Sequence, residues 1–290
     1  MKPANFSNNQ RVYDALVNGG KLPSSCLLCL DGELCELGHI IPKFVMRWLK
    51  LASKKSKFYL NNTKTEVSDT LALRILCKDC EDFFALYEKI FVDKFFKRYY
   101  RKQEQNGLDE DVYYFALSVA WRVMASTPMM RGEDSGDRYY RALRDAIRPH
   151  LIDPKTSVEV DVYVFLADDV AASLPAKDLR ENLLHFSVRQ GIFAQTLEYD
   201  GTPFIATVAP VPLVHFKLGA YYFIVAYQGH LHGLTFHKEI EPSEYGKIHL
   251  LRYSEELVGF LHHISNGDFL EVVESAIPTN GKYNRVHWSK

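Results

Sequence analysis

Apolar positions along the chain fall into two regimes. In the first half they recur mostly at helical spacing, and beyond residue 157 they alternate or run together as strands do. Apolar residues at 83, 84, 87, 91, 95 and 99 predict a helix over 81–105, closed by Asn106-Gly107. Shorter helices are predicted over 8–20, stopped by Gly19-Gly20, and over 43–51. Two more are predicted over 110–126 and 137–148, with Pro128 and Pro149 marking their ends. Residues 34–41 read as a short strand, preceded by the hairpin signal Asp31-Gly32 and ended by Pro42. The apolar run 71–76 leads into a later turn. Period-two alternation over 158–165 predicts a half-buried strand, with Glu159 and Asp161 on an exposed acidic face. Segments 192–199 and 203–209 flank Asp200-Gly201 as a hairpin, and 221–227 reads as a buried strand. A helical connection over 176–186 and helices over 254–264 and 267–275 complete the pattern.

With 290 residues, 47% hydrophobic and 24% charged, the chain is too rich in core-forming residues for disorder and too long for a disulfide miniprotein. No apolar run approaches the roughly 20 residues of a membrane span, and MKPANFSNNQ carries no apolar signal segment. A cytoplasmic protein with no membrane partner is expected. The net charge of −1 conceals +6 over residues 1–105 and −7 over the remainder. The expected division is therefore a basic module, 1–105, and an acidic part, 106–290. The first suits a polyanion, and the second a protein partner.

All five cysteines lie within the first 80 residues, and four form two C-x-x-C pairs, Cys26/Cys29 and Cys77/Cys80. Each short loop presents two thiolates at one corner, so the pairs together match a four-cysteine structural Zn2+ site. The bland reading is two unrelated pairs of core cysteines. Cys35 is left as a packed or free thiol.

Between the pairs stands Leu37-Gly38-His39-Ile40-Ile41-Pro42, and directly after the second pair comes Glu81 at the start of a helix. Pair, hairpin, His-Ile-Ile-Pro, long loop, pair and helix: in this order the chain resembles the HNH, or ββα-metal, endonuclease family. It is most similar to members whose finger is held by zinc on four cysteines. The resemblance covers about residues 24–95. It implies a metal-dependent nucleic-acid endonuclease, acting on DNA in the first place, in restriction or phage (antiviral) defence. It also implies His39 as general base and Glu81 as ligand of a catalytic Mg2+ or Mn2+. The family carries Asp or His just before the base, where this chain has Gly38. Glu36 is the nearest replacement ligand on the strand, and Glu88 or Asp82 could reach from the helix. For the family's middle Asn, the candidates are Asn61, Asn62 and Asp69. The fold expected is α+β: an N-terminal zinc-stapled ββα module, a helical middle, and a C-terminal mixed β-sheet domain with helices.

Lys43, Arg47, Lys50, Lys54, Lys55 and Lys57 follow His39 without an intervening acid. Beside a phosphate-cleaving histidine such a run suits nucleic-acid backbone. The aromatics at 95, 96, 99 and 100 stand at helical spacing and read as core before base-stacking. His230, His232 and His237 read as exposed hairpin imidazoles, and His262-His263 as a helix pair. There is no Walker loop, Rossmann fingerprint or G-x-S-x-G. The rival is a catalytically inactive scaffold, stabilised by zinc, that binds nucleic acid or protein; Gly38 favours it.

Overall fold

The structure is a computed structural model. It describes residues 23–34, 37–53, 58–59, 66–67, 69–104, 107–131, 138–173, 192–201, 206–231, 241–242 and 247–252, with 254 and 257. The helices expected over 8–20, 176–186, 254–264 and 267–275 lie outside these residues, apart from 254 and 257. So do Cys35, Glu36, Lys54, Lys55, Lys57, Asn61, Asn62, His232, His237, His262 and His263. The chain is α+β, with a helical middle and a C-terminal sheet. It divides into two compact units, Met1–Asn106 with Leu117–Val158, and Gly107–Ala116 with Glu159–Ser289. Among the described residues no helix is long and apolar enough to cross a membrane.

In the first unit, β1 (Gly38–His39) pairs antiparallel with β4 (Ala72–Leu73), and β2 (Phe58–Tyr59) with β3 (Glu66–Val67). Helix α1 (Lys43–Ser53) follows Pro42, whose carbonyl accepts the Val45 N–H at 3.3 Å. It buries Val45 and Met46 and turns Lys43 and Arg47 outward. Helix α2 (Lys78–Phe91) continues through a π-helical turn (Val92–Phe96) into α3 (Lys97–Tyr100). The residue inserted by a π-turn shifts the face of a helix, and here Phe91, Phe95 and Phe96 are all buried. Phe44 and Trp48 of α1 meet Phe96 edge-on at 5.0 and 5.6 Å, and Trp48 lies 4.8 Å from Tyr100. Phe95 and Phe96 are thus core.

Four helix boundaries differ from the sequence pattern. Helix α2 begins at Lys78, so Cys77 stands at its N-cap position and Cys80 lies in its first turn. The helical run ends at Tyr100, before Asn106-Gly107, because Lys102 adopts left-handed φ 54°. The N–H groups of Lys102 and Gln103 then close on the carbonyls of Tyr99 and Arg98, both at 3.0 Å, and satisfy the helix end without a glycine. Pro128 and Pro149 lie inside α4 (Glu110–Arg131) and α5 (Arg138–Ile152) rather than at their ends. Helix α4 is buried all round from Val112 to Thr127, and that packing carries it past its proline. The hydroxyls of Ser126 and Thr127, just before Pro128, turn back onto the Val123 carbonyl at 2.8 and 2.9 Å.

The second unit holds a six-stranded sheet of order β6-β7-β8-β5-β10-β9. Its strands are β5 (Val160–Leu166), β6 (Ile192–Gly201), β7 (Ala206–Leu218), β8 (Tyr221–Tyr227), β9 (Glu241–Pro242) and β10 (Ile248–Leu250). A short helix, α6 (Ala167–Ser173), follows β5. Among the described residues, only β5 and β10 pair in parallel. Strand β5 is central and buried on both faces, which corrects the exposed acidic face: Glu159 is exposed, but Asp161 is buried. Asp161 Oδ2 accepts the Gly229 N–H at 3.0 Å and the Tyr163 hydroxyl at 3.3 Å, and Oδ1 lies 3.4 Å from His249 Nε2. Burial pushes this carboxyl up, but His249, the Gly229 N–H and Tyr163 outweigh it and hold it below its ordinary range.

A depressed folded-state pKa gives stability that is present above the unfolded value, about 3.9, and lost as pH falls through the folded one. Asp161→Asn should therefore destabilise the protein by about 2 kcal/mol at neutral pH. In urea melts across pH, the gap to the wild type should close below about pH 4. A gap that persists unchanged well below that pH would show that the carboxylate charge is not what Asp161 contributes.

Candidate functional site

Two short segments carry the four cysteines of the first unit. Cys26 and Cys29 lie in a turn closed by Leu30 N–H to Cys26 O at 2.8 Å and Cys26 N–H to Gly32 O at 2.9 Å. Leu30 takes left-handed φ 70° to complete it. Cys77 stands at the N-cap position of α2 and Cys80 follows in its first turn, so the two thiols are three residues apart on one side of the helix start. Leu27 N–H bonds to Ile75 O at 2.8 Å and Leu34 bridges Cys77, which joins the two segments. All four Sγ atoms lie within 4.8 Å of one another. Cys29 and Cys77 Sγ are 3.7 Å apart. A tetrahedral ion with Zn–S bonds of about 2.3 Å needs edges of about 3.8 Å. The cluster could hold a metal ion such as zinc.

The packing leaves no space for a side chain at residue 32. A Cβ on Gly32 would stand 2.5 Å from Cys77 Cβ and 2.7 Å from its Sγ. Electrostatics point the same way as geometry. Burial pushes the Cys80 thiol far up, and the crowding thiols of Cys77 and Cys26 add to it. Burial also raises Cys26. Burial opposes ionisation of Cys29, but the N–H groups of Asp31 and Gly32 and the Cys26 and Cys77 thiols lower it to about 7. Thiols pressed together in this way can all ionise only with a cation among them.

Beside this cluster lies a histidine site. His39, on β1, is drawn alongside the returning chain by Ile40 N–H to Leu71 O at 2.9 Å and Thr70 Oγ1 to Ile41 O at 2.8 Å. That return sets Asp69 Oδ2 3.3 Å from His39 Nε2, at ion-pair distance and off the line of an ideal hydrogen bond. Lys43 Nζ is 3.2 Å from the same oxygen, and Thr70 N–H donates to Oδ1 at 2.9 Å. Burial pushes Asp69 up, but His39, Lys43 and the Thr70 N–H overcome it and hold the carboxyl well below the usual carboxylate range.

Glu81, on the first turns of α2, reaches the strand itself. A Cβ on Gly38 would lie 2.7 Å from Glu81 Oε2 and 3.0 Å from its Cδ. The space that a side chain at 38 would take is thus occupied by the Glu81 carboxylate. Oε2 is buried without a hydrogen-bond partner. Burial raises the Glu81 pKa, and Glu88 and Asp82 raise it further against the opposing charges of Arg122 and His39. The other two helix acids are engaged elsewhere. Asp82 is exposed and paired with Lys78, and Glu88 Oε1 lies 2.7 Å from Arg122 Nη2.

The structure thus brings together Cys26, Cys29, Cys77 and Cys80, and separately His39, Glu81 and Asp69. Lys43, Arg47 and Lys50 stand at i, i+4 and i+7 on α1, one helix face that begins at Asp69. Arg122 of α4 was missed by sequence reasoning. Its signal was an arginine inside an otherwise apolar helical stretch, where charge is rarely buried without a partner. It is 2% exposed and donates from Nη1 to His39 O at 2.8 Å. Comparisons of this chain with protein-family models, with curated proteins and with solved structures find no match.

Proposed function

We propose that the chain is an HNH-like, metal-dependent nucleic-acid endonuclease, acting on DNA in the first place. The observation that carries the reading is the pairing of His39 with Asp69 next to a glycine whose side-chain space holds the Glu81 carboxylate. In this reading β1, β4 and α2 form a ββα finger, stapled by Zn2+ on Cys26, Cys29, Cys77 and Cys80. An ionised Asp69 favours the imidazole tautomer with its proton on Nε2, which leaves the Nδ1 lone pair to take a proton from water. Glu81 offers a carboxylate oxygen suited to a hard cation such as Mg2+ or Mn2+. When bound there, such a cation would offset charge on the scissile phosphate. Lys43 adds a fixed positive charge at the same place, and Arg47 and Lys50 extend it along the helix face. Gly38 favoured an inactive scaffold only while its position lacked a ligand. A carboxylate packed into that position supports the enzyme instead. The acidic part, 106–290, is left for a protein partner.

Nicking of supercoiled plasmid with Mg2+ or Mn2+ tests the proposal, with His39→Ala as the control. A wild type that cleaves neither DNA nor RNA would move the reading to the scaffold. Binding is tested separately. Arg47→Glu with Lys50→Glu should weaken duplex binding and lower the slope of log affinity against log salt by about one per phosphate contact removed. An unchanged slope in a filter-binding titration would make this face merely solvated.

A further inference from the structure

We infer that Arg122 is a positioning residue for His39, so that the helical middle completes the site. The inference rests on the nuclease reading above. The guanidinium makes two hydrogen bonds and one ion pair. Nε donates to Ser118 O at 3.3 Å, one turn back on α4. Nη1 donates to His39 O at 2.8 Å. Nη2 lies 2.7 Å from Glu88 Oε1, and Cζ stands 5.3 Å over the Phe84 ring.

The planar fork therefore ties three segments together: α4, the strand that carries the base, and the helix that carries Glu81. Strand β1 is two residues long and has one neighbour, β4, among the described residues. Pairing that short defines the strand's axis poorly, and a fixed donor on the His39 carbonyl defines it better. Glu88 is one side of the clamp; it also sits with Glu81 on α2, seven residues or two turns away. Arg122 stands between the carbonyl of the base and Glu88 of that helix. A lysine keeps the charge but lacks the rigid fork that lets Arg122 bond the His39 carbonyl while it pairs with Glu88.

Arg122→Lys in the full-length, zinc-loaded chain tests this, assayed on supercoiled plasmid with Mn2+. The expected result is a kcat lower by about a hundredfold with KM unchanged, as small misplacements of a base cost that much. In a His39→Ala background the same change should cost nothing further, because it acts through that ring. The ring 15N signals of His39, assigned by their loss in His39→Ala, should shift, while those of His150 in the same unit stay in place. Glu88→Gln, which keeps side-chain size and frees Nη2, should move kcat and the His39 signals the same way by less, and it decides the matter if Arg122→Lys does not fold. Losses that multiply in the His39→Ala background, or unmoved His39 signals, would overturn the inference. A wild type that does not cleave would sink the nuclease reading instead. The ring signals then decide alone: a shift supports positioning by Arg122, and no shift overturns it.

Discussion

Chelating the metal, or replacing Cys77 with serine, should unfold the segment around the four cysteines and lower the zinc content from about one ion per chain to none. The reason lies in how little else holds it among the described residues. Strands β1 to β4 are two residues each. The turn of Cys26 and Cys29 is fastened to the rest by Leu27 to Ile75, by the bridge at Cys77, and by Arg148 Nε to Leu28 O at 2.6 Å. Binding of structural zinc is worth about 10–16 kcal/mol in small fingers, more than such contacts supply. Loss of metal also leaves four crowded thiols with no cation. Gly32→Ala separates geometry from chemistry, since every thiol remains while a new Cβ would stand 2.5 Å from Cys77 Cβ. It too should lose zinc, and Cys35→Ser should not. Elemental analysis and thermal melts with and without chelator read both effects. A chelated protein that melts as before, or Gly32→Ala with full zinc, would remove the metal from the structure of this site.

What could be read in the sequence was what is local. Two thiols three residues apart must share a corner, so the four cysteines were legible as one set even with a long gap between pairs. His39 and Glu81 were legible because each adjoins a cysteine pair or its strand. Asp69 was one of three candidates, because its place opposite His39 depends on how the intervening chain returns. Arg122 stands 83 residues from the carbonyl it holds, and no spacing rule spans that distance. The misplaced boundaries have physical causes of their own. Lys102 takes a backbone conformation usually left to glycine, and Pro128 is carried by burial on all sides of its helix. Asp161 looked exposed because alternation marks a half-buried strand, yet β5 lies in the middle of its sheet, where Gly229 and Tyr163 bond the carboxylate and His249 lies at ion-pair distance. The same alternation thus describes two different surroundings, and only the partners distinguish them.

His39→Ala should lower kcat by about 10²–10⁴, as expected for removal of a general base, and leave a slow residual cleavage. Zinc content and melting temperature should hold, because the ring is 21% exposed and takes no part in the thiol cluster. Gly38→Ala is the finer test of the same site. Its new Cβ would meet the end of the Glu81 side chain, 2.7 Å from Oε2. Such an end can swing aside at little cost to the fold, so stability should change little. Activity should nevertheless fall, because the carboxylate leaves the place from which it would serve a cation. Glu81→Gln should do the same by removing charge without moving the chain, and raising Mn2+ should partly restore both variants but not His39→Ala. Steady-state nicking across Mn2+ concentration separates these cases. Cleavage by His39→Ala at the wild-type rate would refute the base. Gly38→Ala and Glu81→Gln with wild-type Mn2+ dependence would show that the cation, if one acts, is held elsewhere.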